Sequence, residues 1–219
     1  MIRIFLTLYF LLTVSPSASA ATDNHNITIA KTPATVDVRS FDPAHRPKDM
    51  PALRTDEAAV TESSFACAVE VEVESKVVGD APVKTKIVAL KVKLSLEVKE
   101  WVPKNTTRKI RSHEDGHRQI SEAFFENADK VAAEIAKSYI GKELTVKDKD
   151  SVQPAIKKAA TEFCQQYLGA VEKPSQTAQE KYDEITDHGR NKVPEPRAIQ
   201  QAIEAVTKQR PAPTSQASR

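Results

Sequence analysis

The chain has 219 residues, with 32 Lys and Arg against 30 Asp and Glu and a formal net charge of +2. That balance excludes the basic excess that captures nucleic acid, and a 5% aromatic content supplies no surface for stacking bases. At 40% hydrophobic and 28% charged, the composition is that of one globular domain with polar ends.

Residues 1–20 carry Arg3, an apolar run from Ile4 to Val14, then Pro16 and Ala18-Ser19-Ala20. This is the layout of an export signal cleaved after Ala20. The run is too short for the roughly 20 residues that span a bilayer, and no later segment is long and apolar enough. A periplasmic or secreted protein with no membrane span is therefore expected. Export permits a disulfide, and Cys67 and Cys164 allow a single intramolecular pairing. Residues 21–60 are polar, contain scattered Pro and read as a flexible linker with a short strand at 34–38.

From Phe65 the pattern changes. Cys67 to Glu74 alternates apolar and acidic residues, Gly79-Asp80-Ala81-Pro82 makes a turn, and Lys84 to Trp101 alternates again. Period two buries one face and wets the other. The expected element is a long antiparallel hairpin with a Glu-rich first arm and a Lys-rich second arm, its register helped by opposite charges. Asn105-Thr106-Thr107 then offers helix caps. A helical stripe follows through Ile110, His113, His117, Ile120, Phe124, Ala128, Val131, Ile135 and Tyr139, and Gly141 ends it. Ser151 caps a second helix, with Val152, Ile156, Ala159, Phe163 and Tyr167 inward. Ser175 caps a third, with Ala178, Tyr182 and Ile185 inward, ending at His188-Gly189. The fold expected is α+β: the hairpin packed on the first helix and on two to three more. The domain spans 61–192, and 193–219 holds a short helix and a polar tail.

His113-Glu114-Asp115-Gly116-His117 is the pattern H-E-x-x-H. On a helix, residues four apart stack on one face, so both imidazoles reach a zinc ion at about 2.0–2.1 Å. Both histidines also continue the core-facing stripe, which an exposed polar turn would not do. Glu114 lies beside the metal, placed to take a proton from the water that zinc activates. Zincin helices mostly keep uncharged residues between the two histidines, where this chain has Asp115 and Gly116. Asp115 points away from the metal face, and Gly116 costs about 1 kcal/mol of helix propensity and either admits a close backbone neighbour or merely weakens the helix. A catalytic zinc takes three protein ligands. The first choice for the third is His188, on the inward side of the third helix. Asp183 is the alternative, with Glu122 and Glu126 weaker. Tyr182 has a hydroxyl suited to an oxyanion, or is a core aromatic with a polar tip.

The run Lys109-Ile110-Arg111-Ser112-His113-Glu114-Asp115-Gly116-His117-Arg118-Gln119-Ile120-Ser121 resembles a bacterial family of unknown function, number 922, described as predicted secreted zinc-dependent proteases. Tyr182-Asp183-Glu184-Ile185-Thr186-Asp187-His188-Gly189 is similar to that family's second signature. The resemblance covers roughly residues 60–192. It implies an exported bacterial protein with a zinc site drawn from both signatures, and it adds weight to Tyr182, Asp183 and His188.

These readings converge on an exported, monomeric zinc peptidase acting on peptide or protein substrates of the cell envelope, with Glu114 as general base. Two other expectations stand beside it: an envelope binding module whose zinc is closed off by a fourth ligand, and a metal-free interaction domain that uses the charged hairpin.

Overall fold

The computed structural model describes residues 2–4, 26–54, 57–76 and 83–208. Its fold is mixed α+β. The strands are β1 (Ile2–Ile4), β2 (Ile27–Lys31), β3 (Thr35–Phe41), β4 (Val60–Lys76), β5 (Val83–Pro103) and β6 (Glu143–Val146). The helices are α1 (Arg108–Glu126), α2 (Ala128–Lys137), α3 (Val152–Thr186) and α4 (Glu195–Thr207). Chain contacts divide it into two compact units.

One unit comprises Met1–Ala34, Phe65–Leu96 and Glu126–Val171. In it β5 is the strand that others join. β2 pairs parallel with Leu90 to Leu94, and β6 pairs antiparallel with Val83 to Lys86. β1 pairs antiparallel with β4 at Val73 to Ser75. β4 and β5 are neighbours, joined by ion pairs Lys91–Glu72 at 2.7 Å and Lys93–Glu70 at 3.7 Å. The acidic and basic alternations of the sequence thus meet as cross-strand pairs. Buried positions on β5 run Val83, Thr85, Ile87, then Leu90, Val92 and Leu94. The phase slips by one residue where the partner changes from β6 to β2, as an irregularity in the pleat requires. On α3, Val152, Ile156, Ala159, Phe163 and Tyr167 are all buried, as their spacing predicts. Cys67 and Cys164 are disulfide-bonded, with Cα atoms 5.5 Å apart.

The other unit comprises Thr35–Ser64, Glu97–Phe125 and Glu172–Arg219. β3 pairs parallel with β5 from Thr35 opposite Glu97 to Phe41 opposite Pro103. Thr107 Oγ1 accepts from the Ile110 amide and caps α1. Ile120, Ala178, Tyr182, Ala198, Ile199 and Ala202 form one core cluster from α1, α3 and α4, flanked by Phe124, Ile185, Ile203 and Val206. Fully burying a large apolar side chain contributes about 1.5–3 kcal/mol. The small residues here let the helices approach closely.

Several expectations are corrected. Part of the stretch read as a flexible linker is ordered sheet: β2 and β3 both run parallel to β5, so the sheet is not built from one antiparallel hairpin. The short strand expected at 34–38 is present as β3, although its burial hardly alternates; β2, which does alternate in burial over its five residues, was not expected. The first helical stretch is two helices, separated at Asn127, and the buried stripe of the second is Ala128, Ala132 and Ala136 rather than Val131 and Ile135. The second and third helices are one, α3, which carries Pro174 inside it and a fully buried Ser175 in place of a cap. Asp148, not Ser151, supplies the side-chain acceptor before α3. Among the described residues no helix is long and apolar enough to cross a membrane. The expected export signal lies outside the described residues, apart from Ile2–Ile4.

Candidate metal centre

α1 presents His113, Glu114, Gly116, His117 and Ile120 on its buried side. His113 is 5%, Glu114 4% and His117 8% exposed, so the motif belongs to the interior rather than to a solvated turn. Burying three ionisable groups demands partners. Those partners come from α3 and from the start of β4.

Asp183 reaches across from α3. Its Oδ1 lies 3.2 Å from His113 Nε2 and 3.1 Å from His117 Nε2, and the two Nε2 atoms are 3.3 Å apart. The three atoms form a nearly equilateral triangle. Around a tetrahedral zinc with bonds near 2.0–2.1 Å, neighbouring ligand atoms stand about 3.3–3.4 Å apart. The observed edges fall just inside that figure. Neither His–Asp contact is aligned as a hydrogen bond, and Asp183 Oδ1 is buried without a hydrogen-bond partner. Two ring nitrogens and a carboxylate oxygen therefore converge on a point, which is the arrangement a cation satisfies. His113, His117 and Asp183 are a group able to hold a metal ion.

The surroundings orient the rings. Thr186 Oγ1 donates to the Tyr182 carbonyl at 2.7 Å and stands 3.5 Å from His113 Nδ1. With its proton directed to Tyr182, Oγ1 is left to accept from Nδ1–H, which leaves the His113 Nε2 lone pair for a metal. His117 Nδ1 is buried and has no hydrogen-bond partner among the described residues. Glu114 accepts from Thr61 Oγ1 at 2.8 Å. Burial pushes the Glu114 carboxyl up, with opposition from His117, Thr61 and His113 too small to cancel it. Burial also acts to raise Asp183, but the close contacts and charge of the two imidazoles outweigh it and hold Asp183 well below the usual carboxylate range. For His117 burial favours the neutral ring, yet Asp183, Glu114 and Glu57 outweigh it and push its pKa up.

A cleft of about 310 Å³ opens onto the group, lined by Glu114, His113, His117, Asp183, Thr61 and Arg54 among others. Glu57 also lines it and binds the Arg54 amide at 2.9 Å.

The sequence-derived residues fare unequally. His113, Glu114, His117 and Asp183 come together. His188, the first choice for third ligand, does not join the triangle; its Nδ1 lies 3.6 Å from Asp183 Oδ1. The physical reason is that α3 ends at Thr186, and Asp187 and His188 follow with left-handed φ angles of 49° and 50°. The helical spacing that put His188 on the inward face stops before reaching it. Glu122 instead pairs with Arg118 at 2.6 Å, away from the metal group. Tyr182, expected to offer its hydroxyl to an oxyanion, lies behind the histidines. Its ring stacks on His113, with centroids 5.0 Å apart and planes 12° from parallel, and its hydroxyl donates to Glu195 Oε2 rather than lining the cleft. Sequence reasoning missed Thr61 and Glu195. The first begins a strand like any other threonine, and the second opens a helix assigned to the tail.

No family model, no curated protein and no solved structure matches this chain.

Proposed function

We propose that this protein is an exported zinc-dependent hydrolase, acting as a peptidase on peptide or protein substrates of the cell envelope. The observation that carries the reading is the His113–His117–Asp183 triangle, whose edges suit a small tetrahedral cation and whose three donors leave a fourth position open. Bound there, zinc would act as a Lewis acid toward a substrate carbonyl and a water. Glu114 accepts a proton from the attacking water and passes it to the leaving amine, its carboxylate held by Thr61 at the cleft wall. A raised carboxyl pKa suits that exchange, because the group must both take and return a proton near neutral pH.

In this reading α1 is a zincin-like helix, and β4 and β5 are the arms of an antiparallel hairpin. The pairing of Glu72 with Lys91 and of Glu70 with Lys93 supports the hairpin, since residue numbers rise on one strand as they fall on the other. The resemblance to family 922 points the same way. The disulfide supports export, because such bonds persist in oxidising compartments.

The test is direct. Purified protein is analysed for metal and incubated with a peptide library, with and without a chelator. Glu114→Gln keeps its metal and loses hydrolysis by about 10²- to 10⁴-fold; full activity in that variant would remove Glu114 from its role. A second reading, a binding module with a closed zinc shell, is favoured by one observation, the His188 ring 3.6 Å from Asp183. It expects bound metal, no hydrolysis, and loss of metal in His188→Ala.

A further inference from the structure

One residue packed closely against the metal group does not line the cleft. Tyr182 is fully buried. Its ring stacks on His113 and meets His117 edge-on, with centroids 5.1 Å apart. Its hydroxyl lies against Gly116, where a Cβ atom would fall 2.2 Å from the oxygen. The same hydroxyl is 3.4 Å from the His113 carbonyl and donates to Glu195 Oε2, from the first turn of α4. The phenol thus sits in a slot cut into α1 by the glycine between the two histidines, and α4 closes the slot with a carboxylate.

This arrangement has a geometric consequence. Tyr182 and Asp183 are adjacent on α3. Whatever fixes Tyr182 along α1 also fixes how far Asp183 reaches toward both Nε2 atoms. A slide of one residue along a helix is 1.5 Å, enough to break a triangle whose edges are 3.1–3.3 Å. The hydrophobic cluster of Ile120, Ala178, Tyr182 and Ala198 holds the helices together but is not directional. The phenol–carboxylate hydrogen bond and the glycine slot supply the register.

We propose that Glu195, acting through Tyr182, is a positioning residue of the metal centre: it locks α3 on α1 in the one register that brings Asp183 to His113 and His117. This rests on reading those three residues as metal ligands.

Cobalt(II) is the probe, because its visible absorption reports ligand geometry and its titration gives an affinity without any turnover. The proteins compared are the full chain as wild type, Tyr182→Phe, Glu195→Ala, Glu195→Gln, the double variant Tyr182→Phe/Glu195→Ala, and Glu204→Ala as a control elsewhere on α4. Thermal unfolding is recorded for each. Glu195→Ala and Tyr182→Phe should each weaken cobalt binding by about tenfold to a hundredfold and alter the spectrum of the bound ion. The double variant should bind no more weakly than the worse single one, since both remove the same hydrogen bond. Glu195→Gln keeps an acceptor oxygen and should restore most of the affinity, and Glu204→Ala should bind as wild type does. If Glu195→Ala binds cobalt with wild-type affinity and spectrum, even while melting earlier, the contact is merely structural and the proposal is overturned. A wild-type protein that takes up no cobalt overturns the metal reading itself, and this inference with it, a result distinct from the first.

Discussion

At the residue scale, the identity of the third donor has the largest consequences. Asp183 Oδ1 contacts both Nε2 atoms, whereas His188 stands outside the triangle with its Nδ1 3.6 Å from Asp183 Oδ1. Asp183→Ala should therefore weaken metal binding by more than about a hundredfold, and His188→Ala by about tenfold or less, as a neighbour of a ligand rather than a ligand. Competitive titration with a chromophoric chelator measures both. The protonation of His117 sets the pH response. A metal needs the neutral ring, and the environment of His117 keeps the proton on to higher pH than usual. Metal affinity should thus climb as pH rises through that raised pKa and level off above it. Asp183, held low, stays ionised across the same window and adds no titration there. A pH-independent affinity between pH 5 and 8 would contradict this account.

At the element scale, α1 is weakened at its centre for the sake of its neighbour. Replacing a mid-helix Gly by Ala ordinarily stabilises by about 1 kcal/mol. At Gly116 the added Cβ would meet the Tyr182 hydroxyl at 2.2 Å and the ring carbon bearing it at 2.5 Å. Tyr182 is fully buried and has no room to retreat. Gly116→Ala should therefore destabilise by about 1–3 kcal/mol despite its better propensity, and lower the melting temperature by several degrees in a circular dichroism melt. The sequence left open whether Gly116 admits a close neighbour or merely weakens the helix; the neighbour is a side chain on α3, 66 residues away (116 to 182). Gly189 plays a related part. Its φ of 78° turns the chain after α3, and a Cβ there would lie 3.2 Å from the His113 side chain.

At the scale of the whole chain, the disulfide is a covalent restraint between distant segments. Cys67 and Cys164 are 97 residues apart, and closing so long a loop contributes on the order of 2–4 kcal/mol by restricting the unfolded chain. Reduction, or Cys67→Ser with Cys164→Ser, should lower the melting temperature by roughly 5–15 °C. Calorimetry with and without a reductant checks it. The long helix α3 belongs to the same scale. Pro174 removes a backbone donor and ordinarily breaks a helix, so the sequence read two helices there. Tyr167 and Val171 before the proline and Ala178 and Tyr182 after it are all buried, and the helix runs on through it.

What the sequence determined by itself is what local periodicity and covalent spacing dictate. The alternation in β5, the buried side of α3, the single disulfide pairing, and the stacking of His113 and His117 on one helical face with Glu114 beside them all follow from residues a few positions apart or from there being only two cysteines. The parallel pairing of β2 and β3 with β5, the continuity of α3, the choice of Asp183 over His188 and the turning of Tyr182 toward Glu195 were decided by tertiary structure alone. Each depends on which distant segment lies opposite. A backbone pairing, a ligand triangle or a slot for a phenol ring is a relation among parts of the chain that no local pattern encodes.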